Sequence, residues 1–556
     1  MHMDLHEDPA AFFNNLNWNV SLRDDPKVIN GIITGEAMDG IYNLDERAFM
    51  DELFFFLREQ GVLEFIQAME GNPDEIQRKS LDFNMFTTLY LLKTLQEIES
   101  MNALPELLFQ DEAWMKWAGF NGNQIRKGIC DRGKFRLKQA PTKENNDDAL
   151  RGPIIPRTLA NNIVKLTGAE LQYTFGKCVN QLAKNGHFPD EVTLILDNSD
   201  LDVTEKYEGA GSVTRKKKIK DKNGNIQVIE VTAFGWKVGV IFEAVTRVPV
   251  AFKVAKINES DNHFMKGLVL QAIRNLEPYC KIRTLVVDKG FIDGSLLWWL
   301  KHVKGIDFVI PARSDMRVHR DALALVEKYG GDPHCPEIVV RESRRTERRG
   351  KGRNAYSESF VTRLAGVPNL KTYDSYGPVE DAEKHNRKDF EGNPINAVVV
   401  RMWNNKEYGP NRGTVFLTSL GVANPFKAFE SYDERSLIEN CLFREGKQKW
   451  NLKHFPKKNE RAAHVHVFFV LMAILLTTLF RRWQQKQDAL LDTGQMVGIE
   501  RYRRQLKAQT RDKVIIFSAD RYAILYTREI AVIGGINIKG MGTREEILRK
   551  YGVDPP

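Results

Sequence analysis

The clearest hydrophobic pattern lies between residues 191 and 311, where short apolar runs alternate with amphipathic stretches. Three strand-like runs come first, and a basic stretch with a hairpin-like Asn223-Gly224 turn leads into the second of them. A helix, a strand, a second helix and a further strand follow, over HFMKGLVLQAIRNLE, TLVVD, GSLLWWLKHV and DFVIPA. This order predicts an α/β fold, a mixed sheet with helices on both faces.

The N-terminal region, residues 1–133, has the periodicity of helices. Asp45 is placed to cap a helix through RAFMDELFFFLREQGVLEFIQAM, and a second apolar-periodic run covers residues 83–98. A glycine-containing break then separates LPELLFQDEAWMKWAGF from a short basic segment with Arg126 and Lys127. One interpretation is a helix-turn-helix that binds DNA through these two side chains, and the other is a pair of packed helices with a solvated basic end.

The rest of the chain divides where its composition changes. A helix is predicted over residues 158–184, another over 433–449, and a long apolar helix over 461–483. The predicted domains are a helical DNA-binding region at 1–133, a linker and helix at 134–189, the first part of the α/β core at 190–311, a β-rich insertion at 312–431, the second part of the core at 432–485 and a small α+β module at 486–556.

Composition and charge limit the class of protein. The chain is 42% hydrophobic and 28% charged, as in ordinary globular proteins, and its net charge is +8. The basic side chains gather in runs at residues 215–222, 341–353 and 447–458, which indicates either a polyanion partner or solvated surface. Five scattered cysteines without a Cys-x-x-Cys pair favour a reducing cytoplasm over a disulfide framework or a zinc site.

One segment raises the question of a membrane. The apolar run at residues 467–480 is 14 residues long, whereas a spanning helix needs about 20. The first residues, MHMDLHEDPAAFF, have neither the basic nor the apolar region of a signal peptide. We therefore expect a buried core helix, a cytoplasmic protein and no association with a membrane.

Two aspartates directly follow predicted strands, Asp197 after LIL and Asp288 after LVV. Either alone is consistent with a turn or a helix cap, but carboxylates on neighbouring strands repel each other unless a cation lies between them. Such oxygen ligands suit Mg²⁺, and two ions about 4 Å apart can activate an attacking oxygen and stabilise a leaving one. Asp200 and Asp202 are alternatives to Asp197, although they lie beyond the predicted end of the strand.

The helix predicted over YDERSLIENCLFREGKQKW offers a third acid, Glu439. Arg435 lies four residues before it and Tyr432 seven residues before it, so all three share one face of a helix. Such a face can bind a metal ion and hold a phosphate beside it, while a solvated Arg–Glu pair is the alternative.

These motifs together resemble bacterial insertion-sequence transposases of the DDE class. In that family a ribonuclease-H-like domain carries Asp, Asp and Glu, and the glutamate lies in a Tyr-x2-Arg-x3-Glu-x6-Lys element. Tyr432, Arg435 and Glu439 have the family's spacing, while Asp197 in LDNSD and Asp288 in DKGF match the surroundings of its first two acids. The resemblance covers about residues 190–485 and is faint elsewhere.

The lysine of the family element is the one departure. Gly446 occupies its position and Lys447 follows one residue later. On a helix, that step rotates the side chain by roughly 100°. Arg444 and Lys449 are therefore alternatives to Lys447 for this role.

The resemblance implies a set of functional residues. Asp197, Asp288 and Glu439 would be the catalytic acids and would bind two Mg²⁺ or Mn²⁺ ions per active site. Tyr432 and Arg435 would hold DNA phosphates near the cleaved end.

The family also implies an activity and partners. We expect cleavage at the inverted-repeat ends of a transposon and strand transfer into target double-stranded DNA, by a homodimer in the bacterial nucleoid. Relatives flip a base onto an aromatic side chain, for which the candidates are Trp299, Trp298 and Trp450, each alternatively a packing residue. The alternative functions are a domesticated, non-catalytic DNA-binding protein and a ribonuclease-H-like nuclease without transposition.

Overall fold

The computed structural model describes residues 22–44, 48–75, 81–120, 124–125, 154–220, 226–349, 356–381, 392–404, 413–487, 504, 508 and 510–555. The chain forms two compact units. The terminal unit comprises Met1–Asn185 together with Gly446–Pro556, and the central unit comprises Gly186–Glu445. Three predicted features lie outside the described residues, namely the Asp45 cap, the basic segment with Arg126 and Lys127, and the Asn223-Gly224 turn.

The regular elements are numbered here in chain order. The α-helices are α1 (Asp25–Thr34), α2 (Ala48–Glu59), α3 (Leu63–Gln67), α4 (Phe83–Leu95), α5 (Glu112–Trp117), α6 (Pro156–Ile163), α7 (Gly168–Lys184), α8 (Asn262–Leu276), α9 (Gly294–His302), α10 (Arg317–Tyr329), α11 (Pro425–Asp433), α12 (Arg444–Gln448), α13 (Glu460–Gln487), α14 (Thr527–Ile533) and α15 (Arg544–Lys550). The strands are β1 (Leu22–Arg23), β2 (Gly40–Asn43), β3 (Glu191–Val203), β4 (Gly211–Lys220), β5 (Ile226–Glu243), β6 (Val248–Lys256), β7 (Lys281–Val287), β8 (Asp307–Pro311), β9 (Val339–Arg349), β10 (Tyr356–Leu370), β11 (Ile395–Asn404), β12 (Thr414–Thr418), β13 (Lys513–Ser518) and β14 (Arg521–Tyr526).

The central unit is built on a mixed sheet of ten described strands. Its order is β4-β5-β3-β7-β8-β12-β11-β10-β9, and β6 also pairs with β5. β3 is antiparallel to β5 and parallel to β7, and β7 is parallel to β8. As predicted, the strands β3, β5 and β6 precede α8, β7, α9 and β8 in the chain. The predicted mixed α/β sheet is therefore confirmed.

The β-rich residues 312–431 belong to this same sheet. β12 pairs antiparallel with β8, and β11, β10 and β9 follow outward by antiparallel pairing. We expected these residues to interrupt the core as an insertion. Instead their strands extend it, because the last strand of the core, β8, offers a free edge that β12 fills.

The basic stretch before β5 is itself a strand. β4 pairs antiparallel with the first half of β5, from Gly211 opposite Gly235 to Lys220 opposite Ile226. Its lysines gave no apolar alternation, which is why the sequence pattern did not predict a strand. Lys216 and Lys217 are exposed, and a two-stranded ribbon in solvent needs no buried face to set its pattern.

A hydrophobic cluster joins α11 to the sheet. Its buried members are Val309, Leu364, Val398, Val400, Phe416, Leu420, Val422 and Ala428. Tyr432 is partly buried against this cluster, with its ring centroid 4.5 Å from that of Phe416. The packing of α11 therefore fixes the position of Tyr432.

The terminal unit combines a helical part with a small four-stranded sheet. α13 packs against α2, α4 and α7. The sheet has the order β1-β14-β13-β2, so strands from the N-terminal region pair with strands from the C-terminal module. The sequence predicts a helical region at 1–133 and a small α+β module at 486–556, and no sheet shared between them. β1 and β2, of two and four residues, are too short to produce a detectable alternation.

Two predicted helices are each broken into two. The first separates into α2 and α3 around Gly61, whose φ of +64° is a left-handed conformation that ends a helix. The second separates into α6 and α7, where Thr167 caps α7 and forms a capping box with Glu170. Local capping chemistry overrides the continuous apolar periodicity at both places.

The predicted long apolar helix is confirmed as α13, which is longer than the apolar run itself. Its length and composition alone would allow it to cross a membrane, but 94% of its most apolar window is buried inside the protein. His466 lies within it, and burial lowers the pKa of this side chain to about 3. The neutral ring accepts a hydrogen bond from the Tyr90 hydroxyl at 2.9 Å and donates from Nε2 to the Asn451 carbonyl at 2.8 Å. α13 is therefore a core helix with a satisfied buried histidine.

Candidate active site

Asp197 and Asp288 lie side by side on neighbouring parallel strands. The pairing of β3 with β7 ends at Leu196 opposite Val287, so the next residue of each strand is one of the two aspartates. β3 itself continues to Val203 against β5. The prediction that the first strand ends at Asp197 is therefore wrong, although the adjacent carboxylates inferred from it are present.

One guanidinium group lies between these two carboxylates. Arg435 Nη1 is 2.8 Å from Asp197 Oδ2 and 4.0 Å from Asp288 Oδ1. The Tyr432 hydroxyl donates to Asp288 Oδ1 at 3.5 Å, and the Arg435 guanidinium lies 5.5 Å from the Tyr432 ring centroid. The structure thus brings together four of the predicted site residues, with a cation between the two acids as the repulsion argument requires.

Glu439 lies in a different backbone conformation from the one predicted. α11 ends at Asp433, and Glu439 belongs to a π-helical turn, Ile438–Phe443, which precedes α12. Tyr432, Arg435 and Glu439 therefore do not share one face of a continuous α-helix. Turns of the π type are often found at functional sites. Within the described parts of the chain, no three His, Cys, Asp or Glu side chains are arranged as a metal site.

The Asp197 carboxyl is in an unfavourable place for a negative charge. Burial raises its pKa to about 6, against the backbone N–H of Asn198 and the charge of Arg435, which both lower it. The negative charges of Asp288 and Glu439 raise this pKa further. Both other predicted acids therefore act electrostatically on Asp197, and a cation at this place would relieve the repulsion.

The competing aspartates on β3 have another partner. Arg215 donates to Asp200 Oδ2 at 2.5 Å and to Asp202 Oδ1 at 3.0 Å. This pairing gives both carboxylates a cationic partner and leaves Asp197 as the acid of β3 that faces Asp288 across Arg435. It also means that Arg215, the first residue of a basic run, already has acidic partners.

Gly446 occupies the position of the family lysine. It is buried, and a Cβ atom there would lie 3.4 Å from Leu452 Cδ2, in van der Waals contact. Lys447 and Lys449 belong to the terminal unit, where Lys449 Nζ is 4.0 Å from Glu97 Oε1. Arg444 begins α12 in the central unit and is exposed. The role of each in DNA binding stays a prediction.

The three candidate tryptophans differ in their surroundings. Trp299 is partly buried, and Lys266 and Lys304 each lie 5.6 Å from its ring centroid. Trp298 stacks on His302 with the ring centroids 4.9 Å apart. Trp450 is only 2% exposed, so it is a packing residue and cannot receive a flipped base. Base stacking on Trp299 stays a prediction.

A cavity of about 870 Å³ opens beside Asp288, and the sequence patterns did not indicate it. Its lining includes Lys289, Arg313, His319 and Arg435. Lys289 directly follows Asp288, and Arg313 follows β8 closely, so both occupy the same kind of position as Asp288, just beyond a strand. This position just beyond a strand is the feature of the sequence from which Lys289 and Arg313 could have been predicted. His319 comes from α10, a helix that the sequence patterns did not predict.

The sequence places this chain in a known family. Residues 188–476, just over half of the chain, match the family model of the transposase DDE domain. The chain belongs to this family and is a DNA transposase of the DDE type. Relatives in the family generally use divalent metal ions.

The chain is also similar in fold to a solved transposase structure. The cryo-EM structure of the piggyBac transposase synaptic complex with hairpin DNA is 10% identical, with a TM-score of 0.39. The match covers 84% of this chain and 80% of that one. No curated protein matches the sequence.

Proposed function

We propose that this transposase hydrolyses a strand at the inverted-repeat ends of its own mobile element and then joins the freed 3′-hydroxyl to target DNA. Asp197, Asp288 and Glu439 are the proposed catalytic acids. The observation that carries the proposal is the pair of aspartates on neighbouring parallel strands, with one guanidinium between them. A purely structural role gives no reason to bury Asp197 beside a second carboxylate.

The donor set fits a hard divalent cation. Asp197 and Asp288 supply carboxylate oxygens, which are the ligands of Mg²⁺ and Mn²⁺, and Glu439 adds negative charge at the same place. We propose that the three acids hold two such ions. When bound, the ions would supply Lewis-acid activation of the phosphodiester and of the attacking oxygen. Arg435 then exchanges its carboxylate partners for phosphate oxygens.

Tyr432 and Arg435 are proposed to hold the phosphate of the cleaved end. Arg435 Nε is buried and has no hydrogen-bond partner among the residues that the structure describes. A buried donor without a partner costs free energy, so an incoming phosphate oxygen would be stabilised there. Tyr432 is held by its packing on Phe416, which keeps its hydroxyl next to Asp288.

A ribonuclease-H-like core, an origin in a bacterial insertion sequence and a homodimer on DNA complete the proposal. The mixed sheet that carries two acids on neighbouring parallel strands supports such a core. The dimer follows from the chemistry, since joining two ends requires two active sites. The nucleoid is then the expected location.

The test is strand cleavage of duplex oligonucleotides that carry the DNA flanking the gene. Asp197→Asn, Asp288→Asn and Glu439→Gln should each abolish Mg²⁺-dependent cleavage and leave DNA binding within about threefold. Asp202→Asn is the matched control, because it changes an acid of the same strand that pairs with Arg215. Full cleavage by Asp288→Asn would overturn the proposal.

A strand-transfer assay with the same duplexes distinguishes the two alternative functions. Joining of the cut end to a target plasmid is the result expected for a transposase. Cleavage without joining would identify a nuclease, and binding without either reaction would identify a domesticated DNA-binding protein.

A further inference from the structure

We propose that the cavity beside Asp288 is a second phosphate site, which binds the DNA strand next to the cleaved linkage through Lys289 and Arg313. This inference rests on the proposed function, because it takes the neighbouring acids to be the place of cleavage. It assigns a binding role to residues outside the Tyr-Arg-Glu element.

The charges around the cavity point to an anion. Of the charged side chains that line it, Lys289, Arg313 and Arg435 are cationic and Asp288 alone is acidic. Asp288 is already in contact with Arg435 and Tyr432. The positive charge of Lys289 and Arg313 is therefore left for a ligand, and a phosphate group is the anion that a DNA transposase meets.

Two arginines elsewhere in the central unit illustrate the contrast, because each has a carboxylate partner. Arg283 contacts Glu191 at 2.8 Å, and Arg317 contacts Asp321 at 3.7 Å. By contrast, neither Lys289 nor Arg313 forms an ion pair with any residue in the described part of the chain. Lys289 and Arg313 line one cavity without carboxylate partners, and a binding site for an anion requires such cations.

The turn that carries Lys289 is fixed against its neighbours. A Cβ atom on Gly290 would lie 2.8 Å from Asp261 Oδ2, so a side chain there would have to displace this carboxylate. Asp261 is itself held by Lys237 at 2.6 Å. The backbone after Asp288 therefore packs closely against Asp261, and Lys289 lies in this packed turn next to the acid.

The cavity also has room and neutral polar groups for a nucleotide. Its volume of about 870 Å³ lies in the range of small-ligand sites. Ser314 and Thr414 add hydroxyl groups to the lining. His319 Nδ1 is buried without a hydrogen-bond partner among the described residues, so this ring has an unused polar atom. A phosphate and the sugar attached to it would meet both charged and neutral partners here.

The experiment measures binding of the full-length protein to a labelled duplex over a series of salt concentrations, with EDTA present so that no cleavage occurs. Each phosphate contact contributes about 0.9 to the slope of log affinity against log salt. Arg313→Ala and Lys289→Ala should each lower this slope by about 0.9 and weaken binding about tenfold in 0.1 M salt.

The matched control is Arg317→Ala, which removes the same charge four residues from Arg313 at an exposed position that does not line the cavity. It should leave the slope unchanged. If Arg313→Ala and Arg317→Ala have the same slope and affinity, the proposed site is wrong. Circular dichroism melts of all three variants check that the fold is retained.

The position of the site is tested with neutral methylphosphonate linkages, placed one at a time around the cleavage point. Wild-type affinity should fall at one linkage beside the cut, and Arg313→Ala should be insensitive at that linkage alone. Sensitivity of Arg313→Ala equal to that of the wild type at every linkage would overturn the proposal. Since binding is measured without catalysis, a failure of cleavage and a failure of this site give different results.

Discussion

The folded protein disfavours the negative charge of Asp197, because the carboxyl group is buried. This makes the free energy of unfolding depend on pH. Because its pKa is about 6 in the folded protein and an unperturbed aspartate has a pKa of 3.8, the folded state binds the proton more tightly than the unfolded state. The stability contributed by this group is therefore complete below about pH 4 and is lost as the pH rises through 6.

Asp197→Asn replaces the acid by a neutral group of the same shape and should remove this loss. Without divalent ions, we expect the variant to have the same free energy of unfolding as the wild type near pH 4 and to be more stable at pH 8, by up to about 3 kcal/mol. Thermal melts across this range measure the difference. A difference that shrinks as the pH rises would contradict the cause given for the pKa.

The same variant tests the metal. Addition of Mg²⁺ at pH 8 should raise the melting temperature of the wild type, because a ligand that binds only the folded state stabilises it. Asp197→Asn should respond much less, since it lacks one of the carboxylates. An equal rise of the melting temperature in the wild type and in Asp197→Asn would show that the ion binds at a site without Asp197.

At the scale of residues, the acids could be predicted and the cavity could not. Asp197 and Asp288 each follow a short apolar run, and neighbouring strands bring such positions together. Arg313 and His319 approach Lys289 only through the placement of β8 and α10, which no local pattern encodes. The pairing of Asp200 and Asp202 with Arg215 is likewise a product of the β3–β4 arrangement.

The ribbon of β9 and β10 is an element whose function can be tested by itself. Arg341 and Arg345 alternate along β9 and are exposed, and Arg345 lies over the ring of Phe360 at 5.7 Å. α11, the helix with Tyr432, packs against both strands. This ribbon is the outer edge of the ten-stranded sheet, and its exposed arginines can contact DNA phosphates, so we expect it to bind the duplex.

The double variant Arg341→Ala/Arg345→Ala should lower the salt slope of duplex binding by about 1 to 2. The control Arg283→Ala/Arg317→Ala removes the same two charges from positions that pair with carboxylates, and should have little effect. Equal slopes for the two double variants would show that the ribbon is only solvated surface.

Elements were predictable where burial sets the pattern. β3, β7 and β8 carry short apolar runs, and α13 is apolar over several turns, so each was found from its sequence. β4 and β9 are basic and largely exposed. Backbone pairing with a neighbouring strand forms them, so their sequences lack the alternation of apolar and polar residues that predicts a strand. The π-helical turn at Glu439 has the composition of an ordinary helix, which explains why it was predicted as one.

At the scale of the whole molecule, the four-stranded sheet joins the two ends of the described chain. Ile516 on β13 is fully buried and pairs with Ile41 on β2. Ile516→Ala should lower the free energy of unfolding of this sheet by about 2 to 5 kcal/mol, because it leaves a cavity in a packed core. Limited proteolysis should then cut near β1 and β2 as well as near β13.

Ile536→Ala is the matched control for this prediction. Ile536 lies in the same C-terminal module but is 61% exposed, so its truncation should change stability by less than about 0.5 kcal/mol. If the protease cut Ile516→Ala only near β13 and β14, the folding of β1 and β2 would not depend on these strands, and the prediction would be wrong. Local sequence patterns could not predict this sheet, because its contacts join distant residues. The backbone N–H of Ala519, for example, donates to the carboxylate of Asp39, 480 positions away.

The joining of distant strands also has a consequence for how the protein is made. The ribosome releases residues in order, so β1 and β2 emerge long before β13 and β14, their partners in the sheet. The continuous segment Gly186–Glu445, which carries Asp197, Asp288 and Glu439, is complete while that sheet still lacks half of its strands. The ribosome has therefore synthesised all three acids of each new copy before β1 and β2 can pair with their partner strands.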